Sequence, residues 1–146
     1  MPTVRFAYKS YFGNLAPIIP LRVLGGASEH RWRRILVYVD SGAAYSILTV
    51  ENARKLGLLK IKARRLAVTT SGGQIHRISL HRLWVKLGND RFSVTFGVPR
   101  GFDIAFNLLG RRDFFSRYQV SFDDSKGVLL FTRSAKLKSI RRKRKK

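Results

Sequence analysis

Short apolar stretches punctuated by Gly, Asn, Asp and Ser run through most of the chain. That rhythm predicts strands joined by tight turns rather than long helices. Residues 17–24 and 33–39 are strand candidates flanking Gly25-Gly26-Ala27-Ser28. A short strand is expected at Tyr45–Leu48, then a helix over Val50–Leu56. Thr49 offers that helix a capping hydroxyl, Glu51 lies near its positive end, and Gly57 supplies the stop. Residues 65–70 and 75–80 flank Ser71-Gly72-Gly73 and read as a hairpin. Further strands are predicted near Leu83–Leu87 and Phe92–Val98, parted by Gly88-Asn89-Asp90. Phe114–Tyr118 reads as helical after Gly110, and residues 120–123 and 128–132 make a last hairpin around Asp124-Ser125-Lys126-Gly127. Many short strands with one or two short helices predict an all-β closed barrel. The aromatic residues fall within this apolar pattern, so core packing rather than base stacking is expected of them.

One strand ends unusually. Residues 35–48 read Ile-Leu-Val-Tyr-Val-Asp-Ser-Gly-Ala-Ala-Tyr-Ser-Ile-Leu, so an apolar, β-branched run delivers Asp40 onto a Ser-Gly turn. Desolvating a carboxylate is costly unless it is hydrogen-bonded or shares a proton. Catalysis would give the acid a purpose there: a carboxyl at the floor of a cleft can take a proton from water and return it to a leaving group. The triplet alone is weak, because Asp-Ser-Gly is common turn chemistry and arises by chance in roughly one chain in twenty of this length.

Composition narrows the possibilities. A chain of 146 residues with 45% apolar residues suits one domain with a modest core. Without cysteine there is no disulfide framework and no thiolate metal site. The start, Met-Pro-Thr-Val-Arg, does not read as a signal peptide, and the apolar segment from Tyr11 to Leu24 is interrupted by Asn14, Pro17, Pro20 and Arg22. No run approaches a membrane-spanning length, so no membrane association and a cytoplasmic location are expected. His30, His76 and His81 lack metal-ligand spacing, no serine lies in a Gly-x-Ser-x-Gly setting, and no Gly-rich loop is placed to cradle phosphate. Neither a metal nor another cofactor is expected.

Charge adds a second theme. The net charge is +22, and the last fourteen residues, Arg133 to Lys146, carry nine Lys/Arg and no acid. Residues 1–132 still hold +13. The Arg-Arg-Lys-Arg-Lys-Lys ending repels itself and is expected to be disordered in isolation. It reads either as an electrostatic foothold on nucleic acid or another polyanion, or as a solubilising tail.

The context of Asp40 resembles the retropepsin-like (retroviral-type) aspartic proteases, in particular their short prokaryotic single-domain relatives. The resemblance rests on Asp40-Ser41-Gly42-Ala43 after the apolar strand, on Ser46-Ile47-Leu48, and on Glu51 to Leu58. It returns at Asn107-Leu108-Leu109-Gly110-Arg111-Arg112-Asp113-Phe114-Phe115, similar to the family's second signature, and at the closing hairpin from Val120-Ser121-Phe122-Asp123 to Val128-Leu129-Leu130-Phe131. Two signatures in this order are far more specific than either alone. Together they cover roughly residues 15–132, and divide the chain into a protease domain (1–132) and a basic tail (133–146).

The resemblance implies an acid-protease-type barrel forming a single lobe completed by homodimerisation, and an endopeptidase acting on polypeptide. Asp40 is the expected catalytic residue, with Ser41, Gly42 and Ala43 completing its loop. The chain has one Asp-(Ser/Thr)-Gly, so an Asp pair requires a second copy. Ser71, Gly72 and Gly73 would tip a flap, and Leu108, Leu109 and Gly110 would support the Asp40 loop. Asp113 matches an acid whose role there is structural. The first fifteen residues and the tail lie where the retroviral relatives build their dimer sheet. The competing class is a non-catalytic module that uses the same barrel to hold an extended peptide or nucleic acid.

Overall fold

The computed structural model describes residues 3–26 and 29–134. In chain order the elements are β1 (Thr3–Ala7), β2 (Lys9–Tyr11), β3 (Asn14–Ala16), β4 (Ile18–Leu24), β5 (Trp32–Val39) and β6 (Ser46–Ile47). Then follow α1 (Val50–Lys55), β7 (Arg65–Thr69), β8 (Ile75–Leu87), β9 (Asp90–Arg100), β10 (Leu108–Leu109), β11 (Tyr118–Asp123) and β12 (Val128–Arg133).

Alternation of buried and outward residues builds much of the central sheet. In β5, Ile35, Val37 and Val39 are buried, while Arg34 is exposed and Leu36 and Tyr38 are only partly covered. β4 repeats the pattern with Leu21 and Val23 inward and Arg22 outward, and the two strands pair antiparallel from Ile18↔Tyr38 to Leu24↔Trp32. The sheet runs β4-β5-β10-β6-β9-β8-β7, and a further β4–β8 pairing closes six of its strands into a barrel. Two of the pairings, β10 with β5 and β6 with β9, are parallel. β7 hangs outside the ring, paired to β8 alone. The core joins Ile19, Val37, Val39, Val85, Val94 and Phe96 to Leu48, Leu56 and Leu58 around α1.

The helix forms where its caps predict. Thr49 has extended backbone and its hydroxyl accepts from the Asn52 N–H, while Asp103 Oδ1 accepts from the Val50 N–H at 3.1 Å. At the other end the Gly57 N–H reaches Arg54 O and the Leu58 N–H reaches Ala53 O, with Gly57 at φ +73°. This is the left-handed termination that glycine permits, and Leu58 buries itself behind it.

Several expectations need correction. Residues 75–87 form one continuous strand rather than two, because His81 occupies an inward, buried position and Arg82 an outward one, so the polar pair keeps the alternation. Phe114–Tyr118 is not a helix. Asp113 sits at φ +65°, which interrupts right-handed winding, and only single turns follow, such as Arg117 N–H to Phe114 O at 3.0 Å. In the N-terminal segment, placed where the retroviral relatives build their dimer sheet, β1 pairs antiparallel with β12 of the same chain, giving a sheet of order β1-β12-β11. Phe92, Phe96, Phe114 and Phe131 pack in the core as expected of aromatics, but Phe12, Trp84 and Phe122 are exposed. The last strand runs through Arg133, one residue into the expected tail, and the tail itself from residue 135 lies outside the described residues. No helix among the described residues is long and apolar enough to cross a membrane.

Candidate active site

β5 carries Asp40 to the rim of the barrel, and β10 holds it there. β10 lies parallel to the end of β5, with Leu108 beside Tyr38 and Leu109 beside Val39. The Asp40 N–H donates to Leu109 O at 3.0 Å. The Ser41-Gly42 turn then folds back on the acid: the Gly42 N–H donates to Asp40 Oδ1 at 2.9 Å and the Ala43 N–H to Asp40 O at 3.2 Å. A carboxylate oxygen fixed by a backbone amide is oriented before any substrate arrives. Ser41 and Gly42 are exposed, whereas Asp40 and Ala43 are partly buried.

The loop is also clamped from behind. Arg111 N–H donates to Ala43 O at 2.9 Å and Arg112 N–H to Ala44 O at 3.0 Å. The Arg111 side chain leans on Ser41 O at 3.4 Å. Gly110 is where the two segments touch most closely, for a Cβ there would lie 2.4 Å from Tyr45 O and 2.7 Å from Ala43 O. Only glycine fits. The structure thus brings Asp40, Ser41, Gly42, Ala43, Leu109 and Gly110 into one unit, with Leu108 bridging β5 and β6.

Two supports escaped the sequence reading. Asn107 is buried; its side chain accepts from the Thr49 N–H at 2.8 Å and donates to Leu36 O at 2.9 Å, tying α1 to β5. Ser46 is fully buried, and its hydroxyl accepts from the Gly110 N–H at 3.0 Å. Both lie inside the quoted motifs, yet nothing local in the sequence separates them from surface Asn and Ser.

Ser71, Gly72 and Gly73 stand apart from this unit, at the turn of the β7–β8 hairpin. The Gly73 N–H bonds Thr70 O and the Thr70 N–H bonds Gln74 O, each at 2.9 Å. Gly73 adopts φ +80°. Residues 69–75 are exposed throughout, so this end of the hairpin projects from the barrel.

Asp40 is one of eight acids, and the other seven are engaged elsewhere. Glu29 pairs with Arg31 and Arg33, and Glu51 with Lys55. Asp90 binds Arg117, Arg133 and Tyr118; Asp103 caps α1; Asp123 and Asp124 serve the last hairpin and Tyr8. Asp113 accepts from the Thr95 N–H at 3.0 Å and from Arg82 at 3.3 Å, anchoring its turn to β9. Hydrogen bonds from Arg117 hold the Asp90 carboxyl down at about 2, assisted by Tyr118 and opposed by its burial. Burial holds His81 below its ordinary range, with Arg100 adding to the effect. Among the described residues no group of three or more His, Cys, Asp or Glu is placed to hold a metal ion.

The profile of the aspartyl protease family matches residues 29–123, which span the Asp40 loop, the projecting hairpin and β10. A curated relative, the DNA damage-inducible protein 1 of Phaeosphaeria nodorum, is 27% identical over 125 residues. That match takes in 84% of this chain but only 28% of the relative's length. Among solved structures, a retropepsin-like aspartic protease from Rickettsia conorii is 26% identical with a TM-score of 0.61, covering 89% of this chain and 91% of the other. The protease of EIAV, solved with the inhibitor HBY-793, shares the fold at 20% identity and a TM-score of 0.51, covering 74% of this chain and 92% of that one.

Proposed function

The chain belongs to the aspartyl protease family, and we propose that it is an endopeptidase whose catalytic carboxyl pair is Asp40 and the Asp40 of a second copy. The observation that carries this reading is the solitude of Asp40: every other acid of the chain is committed elsewhere, while the Asp40 turn lies open at the barrel rim. A two-fold axis beside that turn completes the pair, because an isologous interface sets a residue against its own mate.

The chemistry follows from like charge. Two carboxyls in contact cannot both ionise cheaply, so they share one proton. The ionised member takes a proton from a water between them, and the protonated member donates to the scissile carbonyl oxygen. Attack by the water gives a tetrahedral diol. Protonation of the amine then lets the C–N bond break. Here the Gly42 N–H fixes one oxygen of Asp40 and leaves the other free for this exchange. Ser41 stands next to the acid on the exposed side of the turn, where its hydroxyl can bond across the axis. The hairpin ending in Ser71, Gly72 and Gly73 closes over an extended peptide as a flap, adding main-chain hydrogen bonds and excluding water.

Asp40→Asn tests the proposal. Cleavage of a denatured protein should vanish while thermal unfolding and sedimentation stay as in the parent. Surviving cleavage would remove Asp40 from the chemistry.

A further inference from the structure

A cavity of about 440 Å³ lies between Tyr45, five residues along the chain from Asp40, and Leu66 on the flap strand β7. Its polar wall is cationic, with Arg64 at the foot of β7, Arg82 on β8 and Arg112 just past β10. We infer that this cavity is a substrate subsite for an acidic side chain, glutamate above all, a few residues from the scissile bond. The inference rests on the endopeptidase reading above and names its substrate class.

Position supports it. Tyr45 continues the loop that begins at Asp40, and Arg112 is fastened to that loop by its N–H on Ala44 O at 3.0 Å. Arg64 holds β8 through its carbonyl, which accepts from the Leu80 N–H at 2.8 Å. A peptide lying extended between turn and flap sends alternate side chains to one side, and the cavity lined by Tyr45 has room for one of them.

Chemistry selects the occupant. Arg112 lies over the Tyr45 ring at 5.3 Å and reaches its hydroxyl at 3.4 Å, so its guanidinium is positioned before substrate binds. Arg64 and Arg112 make no ion pair among the described residues; Arg82 has one, to Asp113 at 3.3 Å. Three guanidinium groups with a single acid between them leave capacity for another carboxylate. Arginine suits that task because its planar fork binds both carboxylate oxygens. Leu66 and Leu80 line the same cavity and can cover the two methylenes of glutamate. A lysine or arginine side chain entering here would meet like charge.

The test uses the full-length protein and peptides built around a bond it cuts in a denatured protein. Glu, Gln or Lys is placed at each flanking position in turn, and kcat/KM is measured. At one position Glu should exceed Gln by about tenfold, the worth of a charge-assisted hydrogen bond, and Lys should be poorest. In Arg64→Gln and Arg112→Gln the Glu-to-Gln ratio at that position should fall toward one. The doubly reversed variant Arg64→Glu, Arg112→Glu should favour Lys there. The wild-type peptide series stands even where a variant fails to fold. Equal cleavage of Glu and Gln peptides at every position overturns the subsite and leaves the endopeptidase intact. No cleavage of any peptide from acidic to neutral pH overturns both.

Discussion

The Asp40 N–H and the Leu109 carbonyl meet at 3.0 Å, joining two motifs that lie far apart in the chain. The contact makes the Asp40 turn a property of the closed barrel rather than of its own short sequence. Whatever shifts β10 shifts the acid.

Gly110 gives the sharpest test of that coupling. An alanine there drives Cβ into Tyr45 O and Ala43 O, which are backbone atoms that no rotamer change can move aside. Gly110→Ala should cost about 1–3 kcal/mol of stability and reduce kcat more than it raises KM. Thermal unfolding and peptide hydrolysis measured side by side check this; a fully active, stable variant would mean that the loop is not set by β10.

Asp90 gives the fold a pH dependence remote from the chemistry. Its carboxyl receives Arg117 through two bonds at 2.9 Å and Arg133 at 3.0 Å, and is held at about 2. The folded value lies below the unfolded one, near 4. This contribution is therefore complete above about pH 4 and is lost as the pH falls toward 2. Asp90→Asn should remove about 2 kcal/mol at neutral pH and flatten the acid limb of the stability curve. Denaturant titrations at several pH values would register an unchanged slope if Asp90 were not the group concerned.

Gly73 separates the flap from a plain turn. It stands at φ +80° with nothing within 4 Å of a built Cβ, so substitution strains only the local backbone. Gly73→Val should raise KM for an extended peptide severalfold while the unfolding temperature moves by a few degrees at most. An unchanged KM would make the hairpin a bystander.

What was legible in the sequence was local. The strand to Val39 announces itself by alternation, Asp40 by ending an apolar run, and α1 by Thr49 and Gly57. Ser71-Gly72-Gly73 marked its hairpin for the same reason. What was not legible depends on barrel closure. Asn107 and Ser46 are buried polar residues whose partners lie on other strands. β1 finds β12 at the opposite end of the chain, a pairing no short window contains. The helix expected over Phe114–Tyr118 failed because Asp113 adopts a left-handed conformation to bond Thr95 and Arg82, a tertiary demand overriding local preference.

If two copies of Asp40 make one active site, a chain that has lost the acid silences its partner. Wild-type protein and Asp40→Asn chains, mixed, unfolded and refolded together, test it most directly. In an equimolar mixture random pairing leaves about half of the wild-type chains with a wild-type partner. Activity per wild-type chain should then fall to about one half, and further as the Asn variant is raised. Activity that stays constant per wild-type chain at every ratio would mean instead that a single Asp40 suffices.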